Sequence, residues 1–278
     1  MGAIWSGLPL WILIAPTLLM LCNAALHALR VHLLLEAHHH QISYLTVLSA
    51  MLKGNFVGIT LPSGGSELAK MAWLSKPCGG LDKATAIIVL ARMLELFPWG
   101  AVILCGVLFG LAEYSTELWI AGGFFGLAFW TVGLVFFGLC WHWWSPPFRL
   151  PDWLSKVLVA ARQHSIQRRT LGLVMLLALP FVLVNAGTVW LILQAFSVPI
   201  SYGVVVTIFP TADAVISLPI SINGIGVREV IFSHVLPSVG ITGEVSVAIA
   251  WTRWTGELGR ATAGGILFLC GSSSEGLS

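Results

Sequence analysis

Charge is scarce in this sequence. Of 278 residues, 14 are Lys or Arg and 12 are Asp or Glu, together 9% of the chain. Soluble globular domains carry roughly 25% charged residues, so this set is too small to clothe a water-facing surface. The shortage excludes a soluble enzyme, a nucleic-acid binder and a disordered protein. Cysteine is sparse too. Cys22, Cys78, Cys105, Cys140 and Cys270 form no CxxC pair and read as small apolar fillers, not a metal or disulfide set. No HExxH motif and no nucleotide-binding motif occurs, and the Gly-Ile-Gly at 224–226 has no βαβ context to make it a dinucleotide fingerprint. His38, His39 and His40, with His32 and Glu36, could ligate a metal; a polar cluster at the cytoplasmic rim is the favoured reading. The expectation is a protein without cofactor or metal.

What fills the chain is apolar. Hydrophobic residues make up 57% of it and the mean hydropathy is +0.91, which places it in a membrane. A transmembrane helix needs about 20 mostly apolar residues, and the gaps between charges supply them. None of Asp, Glu, Lys or Arg occurs over 1–29, 96–112, 118–148 or 170–212. These gaps, with the apolar but charge-bearing stretch near the C-terminus, predict five spans at about 8–35, 82–111, 117–140, 168–196 and 242–270. The first is longer than a cleaved signal core and lacks a basic start, so it reads as a retained span.

Two stretches, 43–76 and 200–238, begin apolar, break at Pro and Gly, and resume with charges. Irregular backbone at membrane depth survives only where protein or a water-filled cavity satisfies its N–H and C=O groups. Both are read as broken hairpins that enter and leave on one side; the plainer alternative is one ordinary span and a loop each. Orientation follows from Lys and Arg, which stay cytoplasmic. The loop 141–169 carries five basic residues against Asp152 and is placed inside, with 153–166 as an amphipathic helix on the anionic surface and Trp141, Trp143 and Trp144 as an interface belt. Glu113 and Glu117 mark the outside. Span 8–35 then runs outside to inside, with Arg30 at its cytoplasmic end and the N-terminus external.

The chain also repeats itself. Leu61-Pro62 leads through Gly64-Gly65 to Glu67, then Arg92 and Glu95. Far downstream, Leu218-Pro219 leads through Asn223-Gly224 and Gly226 to Arg228-Glu229, then Arg253 and Glu257. Glu67 precedes Arg92 by 25 residues and Glu229 precedes Arg253 by 24. Each half is span, hairpin, span, and the single connecting span inverts the second half. The chain is thus one transmembrane domain: repeat one at about 8–111, the connecting span and basic loop at 112–167, repeat two at about 168–270, and a tail at 271–278. The predicted fold is an all-α polytopic membrane protein built as an inverted repeat of span, broken re-entrant hairpin and span. Transporters with this architecture place their substrate where the broken helices meet, near the midplane.

Charges at bilayer depth are expensive and are paired or line a cavity. Glu67, Lys70, Arg92, Glu95, Asp213, Arg228, Glu229, Arg253 and Glu257 are the candidates, with Asn55, Pro62, Asn223, Gly224 and Gly226 shaping the breaks. Arg92 and Glu95, three apart, share a helix face, as do Arg253 and Glu257, four apart. One reading is a polar path with Arg as phosphate ligand; the other is a set of salt bridges that only hold hairpins to spans. A serine-protease reading of Gly64-Gly65-Ser66-Glu67 would need a histidine on another span, and His234, the one plausible partner, lies in the other half. Gly106–Gly110 and Gly122–Gly126 have the spacing of helix-packing motifs.

These residues carry a resemblance. Asn-x5-Leu-Pro-x4-Glu-x2-Lys over Asn55–Lys70 is similar to the first signature of the flippase-like membrane family that includes the transmembrane part of lysylphosphatidylglycerol synthase. Ala91-Arg92-Met93-Leu94-Glu95 resembles its second, and Leu218 through Glu229 its third and most specific. The resemblance covers about 10–270. Members usually have Gly at Ser66, Arg at Lys70, an acid at Ala91, and one further span at the start; the soluble aminoacyl-transferase domain of the synthase is absent here. The resemblance implies a lipid flippase moving a phospholipid or other lipid-linked headgroup across the cell membrane by passive or ion-coupled movement, without lysyl transfer. An intramembrane lipid-modifying transferase, or an accessory subunit of one, is the alternative. Membrane lipids are the expected partners, no nucleic acid is expected, and a lipid-modifying enzyme partner and a homo-oligomer stay open.

Overall fold

The computed structural model describes residues 11–61, 64–110, 116–140, 168–216 and 225–275, with the isolated positions 9, 151, 155, 158 and 159. Among these residues every regular element is helical. In chain order they are α1 (Trp11–Ala37), α2 (Tyr44–Gly58), α3 (Gly65–Cys78), α4 (Leu81–Gly110), α5 (Thr116–Cys140), α6 (Arg168–Leu176), α7 (Ala178–Ala195), α8 (Tyr202–Ile216), α9 (Val227–Val235), a 3-10 turn (Leu236–Val239) and α10 (Gly243–Glu275). The expected all-α polytopic membrane protein is what the chain forms.

Four stretches are long and apolar enough to cross a bilayer: Trp11–Ala37, Leu81–Phe109, Trp119–Leu139 and Arg169–Ala195, the last combining α6 and α7. The fifth expected span, α10, is longer still at 33 residues, but Glu244, Arg253, Glu257 and Arg260 keep it outside that apolar set. The two broken stretches are each helix, break, helix. At 1.5 Å per residue, the 15 residues of α2 and 15 of α8 reach only about 22 Å, short of a bilayer core of roughly 30 Å. The amphipathic segment 153–166, the Trp141–Trp144 belt, Pro62, Asn223 and Gly224 lie wholly or mainly outside the described residues.

The local chemistry shows why the breaks fall where they do. Gly64 (φ 94°) caps α3 and Gly226 (φ 83°) caps α9, and both need the left-handed region that other residues resist. In the first hairpin the arms nearly touch: a Cβ on Gly58 would lie 2.3 Å from Ser66 Cβ. In the second, Phe209 of α8 meets Phe232 of α9 edge to face at 4.9 Å. Lipid tails are as apolar as leucine, so such close packing, rather than escape from water, holds membrane helices together.

Packing repeats with the sequence. α1 lies along α7; α2 packs on α10 and α8 on α4, so each hairpin's first arm leans on the closing helix of the other repeat. α3 packs on α4 as α9 packs on α10. The buried apolar residues form two cores. One joins Val31, Leu34, Met51, Leu74, Ile88 and Leu94, with Phe136 and Phe137 of α5 and Val174 of α6 added; the other joins Val189, Ile192, Val205, Phe209, Phe232 and Ile249. Exposed Leu13, Ile14, Leu18, Leu108, Phe109, Phe124 and Leu127 give the outer surface an apolar character.

Candidate functional site

Both broken stretches contribute residues to one cavity of about 530 Å³: Gly64, Ser66 and Glu67 from the first, Asp213 and Arg228 from the second. On the first repeat's side, α4 presents Arg92 and Glu95 from one face, 3.3 Å apart. Glu67, in the first turn of α3, accepts from Arg92 Nη2 and, at 2.8 Å, from Lys70 Nζ. A carboxylate there also meets the positive end of the helix dipole. Lys70 is 3% exposed and sits behind the wall.

On the second side, Arg253 forks onto Asp213, with Nη1 2.6 Å from Oδ1 and Nη2 donating to Oδ2 at 2.7 Å. Asn185 completes the set: its Nδ2 donates to Asp213 Oδ2 at 2.7 Å, while Arg253 Nη2 donates to Asn185 Oδ1 at 3.4 Å. Arg228, one residue into α9, donates from Nη2 to Glu257 Oε1 at 2.9 Å. Thus Arg253 and Glu257 share a face as expected, but each pairs with a hairpin residue.

Of the residues singled out by sequence, Glu67, Arg92, Glu95, Asp213, Arg228, Arg253 and Glu257 all line this cavity, although they are drawn from both ends of the chain. Lys70 supports it from behind. Asn55, Gly226 and Glu229 are not among its lining residues. Glu229 Oε2 instead accepts from the Gly226 N–H at 2.7 Å, closing the start of its own helix. Ser66 is a lining residue, and among the described residues no histidine lines the cavity with it; the His234 side chain lies outside them. Among the described residues no group of three or more His, Cys, Asp or Glu is arranged to hold a metal ion.

Arg30, near the end of α1, is held inside the protein: its side chain is 0% exposed. Nη1 donates to Glu95 Oε2 at 2.7 Å, Nη2 to the Ala91 carbonyl at 2.9 Å and Nε to the Val174 carbonyl at 3.2 Å. A buried guanidinium needs acceptors on all sides, and α4 and α6 supply them.

Charge-poor stretches hid three more cavity residues. Asn23 and Asn185 are uncharged polar groups inside apparently blank spans, and Arg260 sits seven residues after Arg253, on the face already marked by Glu257. Four arginines line the cavity, Arg92, Arg228, Arg253 and Arg260, with four carboxylates, Glu67, Glu95, Asp213 and Glu257, and from behind the wall Lys70 binds Glu67 and Arg30 binds Glu95. Met20, Trp99, Phe129 and Phe181 give it an apolar wall as well. Asn23 Oδ1, Glu67 Oε2, Trp99 Nε1 and the Nε atoms of Arg228, Arg253 and Arg260 are buried without a hydrogen-bond partner. Such an atom costs about 1–3 kcal/mol if it stays unpaired, and all six belong to cavity-lining residues. The arrangement suits an amphiphile whose polar end is anionic.

No curated protein and no solved structure matches the chain. One family model does, over residues 1–253, and its description is lysylphosphatidylglycerol synthase TM region.

Proposed function

From membership of the lysylphosphatidylglycerol synthase transmembrane-region family, to which this chain belongs, we propose that it carries an anionic lipid headgroup across the bilayer. It is an integral membrane protein with a lipid-related role. In the proposed mechanism the headgroup enters the cavity between the hairpins while its acyl chains stay in lipid. The hairpins are re-entrant, one from each side, and the protein is a multi-pass component of the cell membrane. The observation that carries this reading is a cavity lined by four arginines from both halves of the chain, two of whose acids, Glu67 and Glu95, are also held from behind by Lys70 and Arg30. Partial positive charge at the start of α3 adds to it, and the aromatic wall suits the glycerol backbone below a phosphate.

Purified protein in liposomes containing headgroup-labelled lipids tests the proposal. Movement of anionic lipid is expected, and Arg228→Ala should slow it at least 10-fold, because it leaves Glu257 buried without that partner and adds a negative charge to the path. If no lipid moves, or if Arg228→Ala moves lipid as fast as the parent, the proposal fails. Formation of a modified lipid without movement would place the chain with lipid-modifying enzymes.

A further inference from the structure

Arg260 stands apart from the other cavity arginines. It follows Glu257 by three residues and Arg253 by seven on α10, so all three share a face. It lines the cavity, makes no ion pair among the described residues, and buries its Nε without a partner. Within its electrostatic reach are Glu257 and Arg253 on its own helix and Arg92 and Glu67 of the other repeat. Arg92 is 39% exposed at the cavity wall. The acids that hold Arg92 are already shared: Lys70 binds Glu67 and Arg30 binds Glu95. Two guanidinium groups on one cavity repel each other unless an anion lies between them. Their planar forks match phosphate oxygens, so two of them can grip one phosphate from different sides.

We propose that Arg92 and Arg260 form a split anion site, one cation from each repeat, that takes a phosphate group, either of a lipid headgroup or free. The site rests on the headgroup reading above and deepens it: one bound phosphate ties the two halves together.

The test is thermal unfolding of the full chain in a neutral detergent, with dihexanoylphosphatidylglycerol, inorganic phosphate or neutral dihexanoylglycerol added. A ligand that binds the folded state raises Tm in proportion to its occupancy. A rise with the phospholipid alone identifies a headgroup site; a rise with both phosphates identifies one that also accepts the free ion. Arg260→Gln should weaken the apparent affinity about 10-fold or more, the worth of a charge-assisted hydrogen bond, and Arg260→Lys should recover part of it. Arg260→Glu sets a carboxylate beside Glu257 and Glu67 as well as Arg92, so it should abolish the response to anions. Arg260 has no ion pair to lose, and the unliganded Tm of each variant reports whether it folds. The inference is overturned if neither phosphate shifts the parent, if the neutral lipid shifts it equally, or if Arg260→Gln responds as the parent does. Lipid movement with an unchanged Arg260→Gln response removes the split site alone; an anion response without lipid movement removes the transport reading alone.

Discussion

Replacing Arg30 with leucine should destabilise the protein more than any change on its lipid-facing surface. The guanidinium is fully buried and bonded to the Glu95 carboxylate and the Ala91 and Val174 carbonyls. Without it, Glu95, whose side chain is 5% exposed, keeps only the 3.3 Å contact with Arg92. Removing one partner of a buried ion pair costs about 3–5 kcal/mol. At roughly 2–4 °C per kcal/mol for a chain of this size, Tm should fall by about 6–20 °C. Replacing both partners behaves differently, because an apolar pair of similar volume leaves no orphaned charge. Arg30→Leu with Glu95→Leu should therefore recover much of the loss, with a coupling of about 0.5–3 kcal/mol, while Arg92 retains Glu67. The assay is the temperature at which the detergent-solubilised protein loses its monodisperse elution peak. Additive single and double changes would refute the reasoning. So would an Arg30→Leu loss no greater than that of Leu18→Ala, a change at a residue 60% exposed.

Glu229→Gln should cost only about 0.5–2 kcal/mol of stability in thermal unfolding, the scale of a lost helix cap, and should leave lipid movement near the parent rate in the liposome assay; a loss of movement as deep as that of Arg228→Ala would put Glu229 in the path. Single cysteines at Ser63 and Ser221 should react with impermeant maleimide from opposite sides of the membrane, and labelling from the same side would rule out inverted hairpins.

Much of the site was legible because charge is so rare here. An ionised residue in an apolar stretch must find a partner or a cavity, so Glu67, Arg92, Asp213, Arg228, Arg253 and Glu257 could be picked out before their meeting place was known. The same rule gave no sign of Asn23 and Asn185, which are polar without being charged. Arg260 was marked by its spacing from Arg253 and Glu257, a signal of helix periodicity that counting charges overlooks. The burial of Arg30 had no sign in the sequence, because it depends on α4 and α6 closing over it, which only tertiary packing shows. Glu229 sits at the third position after a cap glycine, where a carboxylate can reach back to the cap N–H. That local pattern explains it better than its place in the repeat does. Helix packing went the same way: the closest approach in the first hairpin uses Gly58 against Ser66, outside the two glycine spacings noted by eye, because tight contact depends on which face meets a neighbour.

The ion pairs around the cavity each close within one repeat: Arg30 and Arg92 with Glu95, Lys70 and Arg92 with Glu67, Arg228 with Glu257, Arg253 with Asp213. This bears on speed. Were the halves to shift against each other, no salt bridge would have to break in low dielectric, where each broken pair would add several kcal/mol to the barrier and slow the step by orders of magnitude. The seam resists sliding through side-chain packing, such as α1 along α7 and α2 on α10, and through the Arg30 Nε bond to the Val174 carbonyl at 3.2 Å. Its turnover should accordingly respond more to bulk introduced at these contacts than to ionic strength.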